Sequence, residues 1–158
     1  MWLLIALTGI VLISILWVVS TNAVKDPKKE TVTDGRFIAP EPFRAWIMEY
    51  SAKYGVPLDV AIRLAYEESK WNETATGKNA NGTYDHGLYQ LNSRYYTIKL
   101  TKENVRTALQ VLGKYIKESE TLKEAIMKYN AGPNFFALHG YWPQKSIELA
   151  RRVVEGAM

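Results

Sequence analysis

The chain has 158 residues, a formal net charge of +4, and is 47% hydrophobic and 23% charged, which excludes a disordered tail or a collagen-like repeat and leaves room for one ordinary domain. It contains no cysteine, so a disulfide scaffold and a Cys-ligated zinc site are ruled out. Its histidines are His86 and His139 and it has no Gly-rich phosphate loop, so neither a metal nor a nucleotide cofactor is expected, and the chemistry falls to carboxylates, amides, tyrosines or backbone.

Residues 2–19 form an apolar run without a charge. At about 1.5 Å per residue it reaches about 27 Å, close to a bilayer core, which predicts a transmembrane anchor over residues 1–20. A cleaved signal peptide, with Thr21-Asn22-Ala23 as its small-residue site, is the alternative. The length of the run and the lack of a preceding Lys or Arg favour the anchor. Residues 21–42 carry mixed charges with Pro27, Pro40 and Pro42 and read as a linker. The folded domain is expected over residues 43–158.

Phe43, Trp46, Ile47 and Tyr50 recur at helical spacing, and Gly55 and Pro57 punctuate the end of that helix. Residues 58–69 give a second helix with Val60, Ala61, Leu64 and Ala65 on its apolar side. The Asn-, Thr- and Gly-rich stretch 72–84 predicts an irregular segment or short hairpin, and 86–92 a short helix. Thr101, with Asn104 three residues on, is a plausible N-cap for a long helix to about Glu118. Thr121 and Glu124 make a better capping box for a helix over 122–129, which Asn130-Ala131-Gly132-Pro133 stops. A last helix is expected from about Pro143 to Val154. The fold class is all-α, or α+β at most, with one small hairpin.

Glu67 and Glu68 close the second helix. Neighbouring helical positions point about 100° apart, so one is expected to face solvent and the other a groove. A carboxyl there, flanked by Tyr66 and Trp71, could be desolvated enough to act as a general acid; read alone, the pair is better taken as two surface glutamates. Asp85 follows 17 residues after Glu68, at the end of a segment long enough to fold back on the helix. The two could supply the proton and the charge stabilisation that glycosidic cleavage needs, though Asp85 is also a common turn residue.

Glu68-Ser69, then Gly87-Leu88-Tyr89-Gln90, then Tyr129-Asn130-Ala131-Gly132 resemble, in order and spacing, the three signature motifs of soluble lytic transglycosylase catalytic domains of the goose-lysozyme-like type. The usual second motif is Gly-Leu-Met-Gln, so Tyr89 departs from it, at a side chain that packs inward or lines the groove. The resemblance runs over about residues 47–152. The stretch 79–92 is similar both to the small transglycosylases of secretion and conjugation systems and to the central segment of animal-type lysozymes.

The resemblance implies a lysozyme-like helical domain that cleaves the bond between N-acetylmuramic acid and N-acetylglucosamine in peptidoglycan. Glu68 would protonate the bridging oxygen and then take the proton of the muramoyl C6 hydroxyl, leaving a 1,6-anhydro ring. Ser69 would orient the acid or a nearby sugar. Gln90, Tyr129 and Asn130 would position Glu68 and the muramoyl unit, with Tyr129 the expected hydrogen-bond partner of Glu68. Asp85 keeps a hydrolytic, lysozyme-like variant open, and a non-catalytic glycan-binding module is the other class. Singly, Ser69 could just end a helix, Gln90 be solvated, Tyr129 be core, and Gly87 and Gly132 serve turns.

Trp71, Tyr84, Tyr89, Tyr95, Tyr96, Tyr141 and Trp142 are candidates to line sugar subsites, core packing being their default. The implied partners are glycan strands, the membrane through residues 1–20, and a secretion, conjugation or pilus apparatus or a phage virion. The dispersed basic residues do not form a nucleic-acid stripe. Such a substrate requires the domain outside the cytoplasm, in the periplasm or a virion. Lys25, Lys28 and Lys29 run against that placement under the positive-inside rule.

Overall fold

The computed structural model describes residues 35–97 and 99–156. Among them the elements run α1 (Phe43–Tyr54), α2 (Leu58–Ser69), β1 (Thr76–Lys78), β2 (Tyr84–His86), β3 (Leu91–Asn92), α3 (Thr101–Lys117), α4 (Leu122–Ala131), α5 (Phe135–His139) and α6 (Gln144–Glu155). The fold is mostly helical with one small antiparallel sheet in the order β1-β2-β3. No described helix is long and apolar enough to cross a membrane; the expected anchor over residues 1–20 lies outside the described residues.

Each helix buries the stripe its spacing dictates. In α1, Phe43, Ile47 and Tyr50 face the core. Gly55 then closes the helix in the left-handed region at φ 71°, its N–H donating to Ser51 O, a conformation that costs glycine nothing. In α2 the buried set is Val60, Ala61, Leu64 and Ala65, and in α3 it includes Val105, Ala108, Leu109 and Leu112. Gly113 of α3 lies where α1 comes closest: a Cβ there would run into the Tyr54 carbonyl. Helix propensity alone would favour Ala by about 1 kcal/mol, but displacing a packed backbone costs about 1–3 kcal/mol. Gly113→Ala is therefore expected to lower stability by up to about 2 kcal/mol, read as a lower urea midpoint at unchanged slope.

Several expectations need correcting. Residues 86–92 do not open a helix. They form the end of β2, a turn and β3, because Gly87 and Gln90 sit at φ 77° and 46°, outside the helical region. Thr101 is the first residue of α3 rather than its cap, and its hydroxyl donates to the Glu73 carboxylate. Thr121 does cap α4, accepting from Glu124 N at 3.1 Å. The reciprocal Glu124 bond goes one residue earlier than a capping box requires, to Glu120 N. The one-turn helix α5 follows Pro133 and was not expected, since the turn signals at 130–133 mask its short pattern.

Phe37 and Ala39 fall in the stretch read as linker, yet both are buried. The Phe37 ring meets Tyr66 edge-on at 5.3 Å, and Trp71 Nε1 donates to Arg36 O at 3.1 Å. Residues from 35 onward thus brace the C-terminal half of α2, where the candidate acid sits.

Candidate active site

Glu68 lies two turns after Ala61, on the side of α2 that carries Ala61, Leu64 and Ala65, all fully buried. That placement sets its chemistry. Burial pushes its carboxyl from 4.5 up to about 8; the Asp85 charge and then Glu67 add to the rise, while Lys145 and Arg152 oppose it. Glu68 is therefore a neutral acid at pH 7.

Glu67 does not face open solvent as expected. Its side chain is about 10% exposed and its Oε2 accepts from Lys70 Nζ at 3.1 Å and Arg152 Nε at 3.0 Å. Two neighbouring glutamates thus have different surroundings: Glu67 is held by two cations, and Glu68 is buried and protonated.

The hairpin brings Asp85 to the same place. Tyr84 and His86 are exposed on one face of β2, and Asp85, between them, takes the other. Asn92 Nδ2 donates to Asp85 Oδ1 at 2.7 Å, which fixes the carboxylate. The charges of both Glu68 and Asp85 reach Tyr129, whose hydroxyl burial drives well above its usual value. Glu68, Asp85 and Tyr129, drawn from α2, β2 and α4, form the centre of the site.

Four residues expected at the site make hydrogen bonds within the fold. Tyr129 donates to Tyr89 O at 2.8 Å, not to Glu68, so its proton ties α4 to the turn after β2. Ser69 is buried and its hydroxyl donates back to Ala65 O at 3.0 Å, a bond within its own helix. Gln90 donates through Nε2 to Ala75 O at 3.1 Å and Gly87 O at 2.8 Å, bracing the hairpin rather than Glu68. Asn130 accepts from Ser146 Oγ at 2.7 Å, fastening α4 to α6. The charge of Asp85 acts on Glu68, and both reach Tyr129; Ser69, Gln90 and Asn130 make their bonds within the frame.

The frame has a centre that spacing alone did not reveal. Tyr89 is fully buried; its hydroxyl donates to Ala61 O at 2.9 Å and its backbone N–H to Asn104 Oδ1 at 2.9 Å. Asn104 also donates to His86 O at 3.0 Å. A Cβ on Gly87 would come within 2.8 Å of Asn104 Nδ2, so glycine is needed there for space as well as for φ. Asn104→Leu strands two backbone groups and is expected to cost about 2–4 kcal/mol, visible as a lower melting temperature and as faster exchange of the Tyr89 amide. The signal in the sequence was an Asn where a capping acid normally stands.

Among the candidate aromatics, Tyr95 and Tyr141 are exposed and Tyr84 stacks on His86 at 6.1 Å, while Tyr89 is core. Glu68 does not line the cleft of about 500 Å³ beside Met127, Phe136 and Trp142, nor that of about 250 Å³ beside His86 and Asn104. Among the described residues no three His, Asp or Glu side chains gather as a metal site would require.

The family model described as the transglycosylase SLT domain matches residues 45–139, which include Glu68, the turn after β2 and Tyr129. The chain belongs to this family. It is also 30% identical over 103 residues to lysozyme-like protein 6 of Homo sapiens, covering 65% of the chain and 54% of that protein. Lysozyme C of Equus asinus is 48% identical over 48 residues, 30% of the chain and 34% of that protein. The chain thus spans about half or less of the curated relatives it matches. Helix α6, which supplies Lys145, Ser146 and Arg152, lies beyond the segment matched by the SLT model.

Proposed function

We propose that this chain is a peptidoglycan lytic transglycosylase that uses Glu68 as both acid and base. The observation that carries the reading is a carboxyl kept protonated to about pH 8 beside a fixed carboxylate, in a chain of the SLT family. The protonated Glu68 gives its hydrogen to the oxygen bridging N-acetylmuramic acid and N-acetylglucosamine. The C1–O bond breaks, and the oxocarbenium sugar forms beside the negative charge of Asp85. Glu68, now ionised, takes the proton of the muramoyl C6 hydroxyl, whose oxygen closes on C1 to give the 1,6-anhydro ring. Glu68 ends the cycle protonated, as it began. The held hydroxyl competes with water through its high effective concentration.

The placement of Asp85 supports a second reading, hydrolysis in the manner of a lysozyme, where a second carboxylate serves the reaction directly. Mass spectrometry of purified cell wall digested by the chain separates them. Anhydromuropeptides are the expected product; reducing muramoyl ends would establish hydrolysis, and no soluble product would leave a glycan-binding module.

A further inference from the structure

The C-terminal half of α2 is tied to α6 at two points. Arg63 and Glu67 lie one turn apart on the same side of α2, and both reach the last turn of α6. Arg63 Nη1 donates to Val153 O at 3.4 Å and to Val154 O at 3.3 Å. Glu67 Oε2 accepts from Arg152 Nε at 3.0 Å. Bonds thus run in both directions between the two helices. Lys70 Nζ donates to the same Glu67 oxygen at 3.1 Å.

The way α2 ends makes such a tie useful. Lys70 and Trp71, which follow its last turn, both stand in the left-handed region, at φ 52° and 67°, where a side chain crowds its own backbone. Non-glycine residues keep that conformation only where their surroundings fix it. Trp71 is fixed by its bond to Arg36 O and by its ring against Tyr66 at 6.0 Å. Lys70 is fixed through Glu67, and Glu67 through Arg152. Glu68 lies in the short stretch between the tied carboxylate and the left-handed turn.

We infer that the Glu67–Arg152 ion pair positions Glu68: it fixes the rotation of the last turn of α2, and so the direction from which the acid meets the glycosidic oxygen. The inference rests on the reading of Glu68 as the acid. It makes α6, which lies beyond the segment matched by the SLT model, a working part of the site. An ion pair withdrawn from water adds little net stability, because lost hydration offsets the attraction; here its contribution is a fixed geometry.

The test measures kcat and KM on soluble peptidoglycan strands at pH 6, well below the value of about 8 at which Glu68 ionises. Glu68 there keeps its proton when a neighbouring charge is removed, and the charges of Asp85 and Lys145, which also act on it, are untouched. Arg152→Met is expected to lower kcat about 10-fold with KM within about 2-fold, because a misdirected acid loses the transition state and not the bound strand. Arg152→Lys keeps a charged donor and should recover at least about half of the rate. Glu67→Gln keeps the shape but only a neutral acceptor, and should cost about 3-fold. The double variant should be within about 2-fold of Arg152→Met alone, since the two side chains act as one unit. Glu155→Gln, which removes the α6 contact with Lys123 of α4, should leave kcat unchanged, and melting curves establish that each variant is folded at the assay temperature. Full kcat in Arg152→Met and Glu67→Gln, a raised KM at unchanged kcat, or an equal loss in Glu155→Gln overturns the inference. Glu68→Gln separates the failures: if it is inactive while the pair variants run at the parent rate, only the positioning role falls, and if it cuts at the parent rate, the acid reading falls as well.

Discussion

Glu68→Gln is expected to lower release of soluble fragments from purified cell wall by about 10²–10⁴-fold, the span associated with loss of a positioned general acid. Glutamine keeps the shape and the burial but holds no transferable proton. The same change should raise stability, and the sign follows from the raised carboxyl. In the unfolded chain Glu68 ionises near 4.5 and in the folded chain near 8. Below pH 4.5 both states hold the proton and the carboxyl costs nothing. Between pH 4.5 and 8 the unfolded state loses it first, so native stability declines with rising pH. The advantage of the Gln variant should thus be absent at pH 4 and grow to about 1–3 kcal/mol at pH 8. A variant that loses activity and gains no stability in that window would mean that Glu68 is exposed, and the acid role would fail with its burial.

The second large effect is on the pH profile. The rate is expected to fall tenfold per pH unit above about pH 8, as Glu68 gives up its proton. Its neighbours move that limb in opposite directions. Asp85 raises the carboxyl and Lys145 lowers it. Asp85→Asn should therefore shift the limb toward neutral pH, and Lys145→Met should shift it further into the alkaline range. The size of the rate at the optimum then separates the two chemistries. Under transglycosylation, Asp85→Asn weakens charge stabilisation but leaves the C6 hydroxyl as the attacking group. Under hydrolysis it removes the second carboxylate of the reaction, with a loss comparable to that of Glu68→Gln. Profiles of kcat/KM for the three proteins over pH 5–10 check both points.

The helices were legible because hydrophobic spacing is a local signal: α2 and its apolar side follow directly from Val60, Ala61, Leu64 and Ala65. The catalytic candidate was legible for a related reason, since an acid two turns after Ala61 falls on that buried side. The partners of the site were not. Ser69, Gln90 and Asn130 stand in the right motifs, but hydrogen-bonding side chains satisfy whichever group is nearest, and here those groups are Ala65 O, Gly87 O and Ser146 Oγ. Tyr129 donates its proton to a carbonyl of the turn after β2, a partner that no local pattern announces. Asn104 comes from a distant element, marked in the sequence only as an Asn where a capping acid normally stands; long-range packing brings it to the turn after β2. The short helix α5 escaped because five residues give too little periodicity to outweigh Pro133 and Gly132.

The central claim is that Glu68 keeps its proton at neutral pH within the folded chain. Carbon-13 NMR of the glutamate side-chain carboxyls across pH 3–10, with Glu68→Gln to assign the resonance, measures that directly. A Glu68 carboxyl titrating near 8 is the predicted result. A Glu68 resonance that titrates near 4.5 would contradict the account.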